Sequence, residues 1–155
     1  MRNTLVAYFS ATGTTAAAAK HLAEILEADI YEIKPEIPYV KADLNWLNPL
    51  SRSTKEMKGG KARPAIIKGD VDVSGYDTVY LGFPIWWYIA PTIVNSFLET
   101  QDFSGKKIVL FATSGGSDFG KAVQKLQPSC PGASIEEGRV FKGKPSKDDI
   151  ENWVK

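Results

Sequence analysis

Cysteine is almost missing from this sequence. Cys130 is the one thiol in 155 residues, so there is no internal disulfide framework and no thiolate cluster for a metal. Histidine is equally scarce: His21 falls in mid-helix without a second histidine, which leaves a metal site unsupported. An excess of one charge is missing too. Lys plus Arg is 19 and Asp plus Glu is 18, a formal net charge of +1, which supplies no electrostatic footprint for nucleic acid or an anionic membrane. Long apolar runs do not occur. The longest, Phe83 to Pro91, is nine residues with two prolines, against roughly 20 for a membrane-spanning helix. Met1-Arg2-Asn3-Thr4 leads into only five apolar residues, short of a secretory signal core, so a cytoplasmic location is expected. What the chain does have is 43% apolar residues, enough to fill the core of one domain, residues 1–155.

Five segments read as strands: Leu5 to Phe9, Ile30 to Ile33, Thr78 to Phe83, Lys107 to Thr113, and a weaker fifth from Ser134-Ile135 with Arg139-Val140-Phe141. The first, third and fourth are nearly all apolar instead of alternating, as in strands covered on both faces. Helical stretches separate them. Between Thr15 and Glu27, Ala18, Leu22, Ile25 and Leu26 share one face. A second helix starts at Pro91, a third runs from about Ser117 to Gln127 and stops at Pro128, and a last one follows Pro145 with Ser146 as N-cap. Residues 35–77 read as a long irregular connection with one short helix near Ser51 to Lys58. Strand alternating with helix predicts an α/β fold: a doubly wound, five-stranded parallel sheet in three α/β/α layers. Ligands of such sheets bind beyond the carboxyl ends of the strands, where strand order reverses. Function should therefore lie in the loops after the first, third and fourth strands.

The first of these loops is Ser10-Ala11-Thr12-Gly13-Thr14-Thr15. Four hydroxyls and a glycine at a helix start suit a phosphate, because free N–H groups and the helix dipole favour negative charge there. The same residues also suit a plain Ser/Thr cap. No Lys or Arg lies in the loop, so neutral donors would have to hold any anion. The second loop, Pro84-Ile85-Trp86-Trp87-Tyr88-Ile89-Ala90-Pro91, carries three consecutive aromatics. Adjacent residues cannot all face a core. Flat apolar faces at this edge suit a planar heteroaromatic ring, with a dimer interface as the alternative. The third, Thr113-Ser114-Gly115-Gly116-Ser117-Asp118-Phe119-Gly120, is small enough to let backbone approach a ligand closely; an ordinary glycine-rich turn is the alternative. Together the three loops describe a phosphorylated ligand with a flat ring system.

Other chemistries fit less well. Gly115 to Lys121 has the G-x-x-x-x-G-K spacing of a nucleoside-triphosphate loop, but Ala122 stands where a magnesium-holding Ser or Thr belongs. A phosphate-accepting receiver needs acidic residues after the first strand and an aspartate at the third, where this chain has Ser10 and Pro84. A C-x5-R phosphatase loop fails because Glu136 follows Cys130 at the required arginine position. Cys130 itself, with no basic neighbour, reads as an unreactive thiol. Arg52, Glu56 and Arg63 read as ion-pair formers, and Asp118 as either a helix N-terminal acid or a carboxylate near a ligand ring.

Ser10 followed by Thr12-Gly13-Thr14-Thr15 is similar to the phosphate loop of the flavodoxin family. Gly82-Phe83-Pro84-Ile85-Trp86-Trp87, Phe97-Leu98-Glu99, Phe103-Ser104-Gly105-Lys106-Lys107 and Thr113-Ser114-Gly115-Gly116 resemble a branch of short bacterial flavodoxin-like proteins. Tyr8-Phe9-Ser10 and Asp43-Leu44-Asn45-Trp46 also look typical of it, and the likeness covers most of residues 4–120. The family is the standing example of strand order 2-1-3-4-5, with flavin mononucleotide (FMN) at the switch between strands one and three. The resemblance implies a noncovalent FMN. Ser10, Thr12, Gly13, Thr14 and Thr15 would hold its phosphate, Pro84, Ile85, Trp86 and Trp87 would line one side of its ring, and Ser114, Gly115 and Gly116 would lie against its pyrimidine edge. Ala11, Thr113 and Ser117 would be further cofactor-binding residues of the same loops. It also implies electron transfer to a redox partner protein or to a small quinone-like acceptor.

Two features depart from that pattern. Electron-carrying flavodoxins are usually acidic, which helps docking on basic partners, whereas this chain is nearly neutral. They also often carry a glycine beside the flavin whose peptide flips on reduction, and no glycine occurs between Pro84 and Pro91. Forcing another residue to positive φ costs roughly 1–2 kcal/mol. Both departures lean toward two-electron chemistry, that of an FMN-dependent NAD(P)H:quinone-type oxidoreductase. The lack of a recognisable second nucleotide site leans the other way.

Overall fold

The computed structural model describes residues 3–10, 13–37, 40, 44, 51–57, 63–67, 71–85, 90–114, 118–143 and 145–154. Five strands, β1 (Thr4–Tyr8), β2 (Asp29–Glu32), β3 (Thr78–Pro84), β4 (Lys107–Ser114) and β5 (Ser134–Lys142), pair in parallel in the order β2-β1-β3-β4-β5. This is the doubly wound sheet expected. Around it run α1 (Thr14–Leu26), α2 (Arg52–Met57), α3 (Thr92–Leu98), α4 (Ala122–Leu126) and α5 (Lys147–Val154). Among the described residues no helix is long and apolar enough to cross a membrane.

The continuous apolar runs mark the three central strands because each of those strands is buried on both sides. Leu5 and Ala7 join Val79, Leu81, Phe83, Ile108 and Leu110 in a core completed by Ile93, Val94 and Phe97 of α3 and Ala122 and Leu126 of α4. Val6 and Tyr8 turn the other way, onto Ala18, Ala19 and Leu22 of α1 and Ile150 of α5. Phe9, Phe83, Phe97, Phe103 and Phe111 are all at most 1% exposed, and each such side chain contributes about 1.5–3 kcal/mol by leaving water. Gly82 sits between Tyr8 and Phe111 in the register. A Cβ there would collide with the Phe111 ring, so glycine is what lets that ring lie flat across the sheet.

β2 and β5 are edge strands, and β5 carries exposed polar side chains along most of its length, which explains why it reads weakly in the sequence. It is one nine-residue strand and not two fragments. A bulge shifts the register so that Leu110 pairs with Glu137 and Phe111 with Arg139, leaving Gly138 between them. A Cβ on Gly138 would meet the Leu110 carbonyl and the Trp153 ring. Trp153 of α5 in turn packs edge-on against Tyr80 and Phe141.

Two helix boundaries differ from expectation. The third long helix begins only at Ala122, because Asp118 accepts the Gly120 N–H at 2.9 Å and Gly120 takes a φ of 52°. That side chain-to-backbone turn competes with helix start. Pro128 does not end the segment; it lies in a 3₁₀ turn, Gln127–Ser129, that continues it. In the 35–77 connection the structure places the short helix α2, a 3₁₀ turn at Val73–Gly75 and one antiparallel bridge between Pro35 and Ile66.

Candidate functional site

The carboxyl ends of β1, β3 and β4 are adjacent, and main-chain hydrogen bonds carry the pairing past the strands into the loops. Phe9 N–H donates to the Gly82 carbonyl at 3.0 Å, and Ile33 N–H to that of Tyr8 at 2.7 Å. Ile85 N–H donates to Thr113 O at 3.0 Å and Gly143 N–H to Ser114 O at 3.1 Å. β1 lies between β2 and β3, so the chain reverses its direction of winding there. The loops singled out in the sequence thus leave the sheet side by side at the edge where such sheets bind ligands.

Ser10 follows β1, and its Oγ accepts the Gly13 N–H at 3.0 Å. Gly13 has φ 94°, a left-handed conformation natural to glycine, and turns the chain straight into α1. Among the described residues no side chain caps the N–H groups inside that helix start, and its first turn holds no acidic residue. Thr14 is half-buried at the helix start. Thr15 is 1% exposed and turns inward, its Oγ1 lying 2.7 Å from Thr113 Oγ1. Outward-facing chemistry at Thr15 consequently comes from its main-chain N–H.

Pro84 and Ile85 are half-buried where β3 ends, with Pro84 paired in register to Thr113. Thr113 is 5% exposed, and Ser114 is half-buried beside it. Ala11, Thr12, Trp86, Trp87, Gly115, Gly116 and Ser117 lie outside the described residues, as do Asp43, Asn45 and Trp46. The structure brings together Ser10, Gly13 and Thr15 on one side with Pro84, Ile85, Thr113 and Ser114 on the other. Burial and the neighbouring Glu32 raise the pKa of Tyr8, directly beneath this rim, so it is a neutral phenol.

One residue beside the site was not singled out from the sequence. Thr92, the first residue of α3 after the aromatic loop, is 2% exposed, and its Oγ1 has no hydrogen-bond partner among the described residues. A buried hydroxyl without a partner costs about 1–3 kcal/mol. Only the substitution of a hydroxyl for an aliphatic side chain ahead of Ile93-Val94 could have signalled it.

Arg52 pairs with Glu56 at 3.0 Å and also donates to the Ile37 carbonyl. Arg63 forks both Glu99 carboxylate oxygens, at 3.1 and 3.0 Å; its partner is 36 positions away, so this pair ties the long connection to the end of α3. Glu99 in turn accepts from Ser129 Oγ, which accepts from the buried Asn95 amide. His21 is half-buried on α1, and no cluster of possible metal ligands exists among the described residues.

The geometry is matched by known proteins. A protein from Bacteroides uniformis, proposed to be a flavoprotein, is 47% identical, with 99% of this chain and 97% of that chain covered and a TM-score of 0.92. A second such protein, from Bacteroides eggerthii, is 44% identical over 99% and 96% of the two chains, with a TM-score of 0.89. A flavoprotein from Lactobacillus acidophilus, solved in complex with FMN, shares the fold at 20% identity over the whole of both chains, with a TM-score of 0.73. No curated protein matches. The family model described as flavodoxin matches residues 3–155, the three site loops included, and the chain belongs to the flavodoxin family.

Proposed function

We propose that this chain binds FMN noncovalently and carries electrons between redox partners. The observation that carries the reading is the start of α1 behind a left-handed glycine, six residues past the end of β1 at the reversal of strand order. Among the described residues no side chain caps the main-chain N–H groups of the first turn, and the helix dipole makes them a receptor for a doubly charged phosphate. Open space surrounds the Gly13 Cα where a side chain would project. The donor set therefore fits the phosphate of FMN. Ser10, Thr12, Gly13, Thr14 and Thr15 are the residues assigned to it, with Ala11 in the same loop.

Pro84, Ile85, Trp86 and Trp87 are assigned to the ring, and Ser114, Gly115 and Gly116 to its pyrimidine edge, with Thr113 and Ser117 flanking them in the same loop. When bound, the flavin supplies the redox chemistry, and the protein supplies position and electrostatics. These three segments contain no Lys or Arg. They hold the negative phosphate with neutral donors, exclude water from the ring with apolar faces, and leave the ring's potential to main-chain dipoles.

The test is calorimetric titration of the purified apo chain with FMN, followed by gel filtration of the mixture. One FMN per chain that stays bound and yellow through the column is expected. No heat at saturating FMN would sink the cofactor assignment. Sustained NADH or NADPH oxidation with a quinone, and no second protein, would replace electron carriage with the reductase activity.

A further inference from the structure

We infer that Thr113 is a positioning residue for the phosphate end of the site, although it lies on the strand that serves the ring. The inference rests on the FMN reading above. β4 reads Lys-Ile-Val-Leu-Phe-Ala-Thr-Ser, and its inner residues are aliphatic or aromatic up to Thr113. A strand covered on both faces has no packing need for a hydroxyl at that point, and burying one without a partner is costly. The Thr113 hydroxyl finds its partner 98 positions earlier in the chain, at Thr15 Oγ1, 2.7 Å away, with both side chains buried.

The same residue's carbonyl accepts the Ile85 N–H at 3.0 Å, and Pro84 is its register partner on β3. Thr113 therefore joins three segments: the first turn of α1 through its side chain, the exit of β3 through its main chain, and the exit of β4 by position. Its hydroxyl sets how far the anion-receiving turn stands from the ring-receiving loops. One hydrogen serves the hydroxyl pair. Either hydroxyl can donate it, and the bond leaves the Thr15 main-chain N–H facing the ligand side.

The test separates the two ends of the ligand. Kd is measured for FMN and for riboflavin, which lacks the phosphate, on the wild-type chain and on Thr113→Val, which keeps the shape and removes the hydroxyl. The valine variant should weaken FMN by about tenfold while riboflavin stays within about twofold, so the ratio of the two affinities falls. Thr113→Ser, which restores the hydroxyl, should restore the ratio. General destabilisation would weaken both ligands alike and leave the ratio unchanged; that result, or no change in either affinity, overturns the inference. Where Thr113→Val does not fold, Thr113→Ala carries the same comparison with less side chain to place. A wild-type chain that binds neither ligand overturns the FMN reading and this inference with it. Wild-type binding with an unchanged ratio in the variants overturns only the inference.

Discussion

Cys130 shows how much a single side chain's environment decides. It follows the 3₁₀ turn after α4, 2% exposed in the core shared with α3, with its Sγ 3.5 Å from the Leu126 carbonyl. Burial disfavours the thiolate and raises its pKa from 9.0 to about 11. The sign of the linkage follows. The folded state holds the proton more tightly than the unfolded one, so this stability is complete below pH 9 and is lost as pH rises toward 11. Tyr76, whose hydroxyl donates to Asp29 at 2.6 Å, is raised to about 12 and acts with the same sign from pH 10 upward. A thiol reagent at pH 8 should therefore leave the native chain unmodified and react with one equivalent in denaturant. Chemical denaturation between pH 8 and 11 should show a steeper loss for the wild type than for Cys130→Ala. Equal pH slopes would contradict the assignment to Cys130. The lone thiol's inertness was legible in the sequence from the absence of basic neighbours; its depth in the core was not, because Ser129 and Pro131 on either side carry no apolar signal.

Caps and turns decide where the elements begin. The start of α5 is a reciprocal pair: Asp149 N–H donates to Ser146 Oγ at 3.1 Å, and Ser146 N–H donates to Asp149 Oδ2 at 3.0 Å. These bonds hold the Asp149 carboxyl below its ordinary pKa, and they place Trp153 against Phe111 and Phe141 on the sheet. Ser146→Ala should cost about 1 kcal/mol and lower Tm by about 2–4 °C, read in a thermal melt; an unchanged Tm would mean the cap contributes nothing. This start could be read from Pro145-Ser146-Lys147-Asp148-Asp149 because the capping chemistry is local. The start of α4 could not. Its signal conflicts with a second local option, the Asp118 carboxylate turning back onto Gly120 N–H, and the left-handed Gly120 resolves the competition against helix. The edge strand β5 was read in pieces for a related reason: its hydrophobic alternation is interrupted by Gly138, whose place in the fold is set by Leu110 and Trp153 from elsewhere in the chain. Local chemistry was legible, and chemistry supplied by distant partners was not.

At the scale of the whole molecule, the site exists only when the sheet does. Its three loops leave β1, β3 and β4 at residues separated by tens of positions in the chain, and the ties between them, Phe9 to Gly82, Ile85 to Thr113 and Thr15 to Thr113, all cross that distance. The buried parallel strands and the loops after them could be anticipated because such strands read as unbroken apolar runs, while their order followed from the family resemblance. The Thr15–Thr113 bond could not, since a threonine at a strand end is equally at home in a turn. A ligand that needs all three loops binds the folded chain and not the unfolded one, so FMN should stabilise the molecule globally. At about 100 times its Kd it adds about 2.7 kcal/mol, or about 5–10 °C in Tm for a chain of this length. The segments holding it have no Lys or Arg, so the difference in Tm with and without FMN should survive at about 1 M salt, where screening reaches within about 3 Å. A shift abolished by salt would point instead to a surface-bound anion, and no shift at all would mean that the three strand ends do not form one receptor.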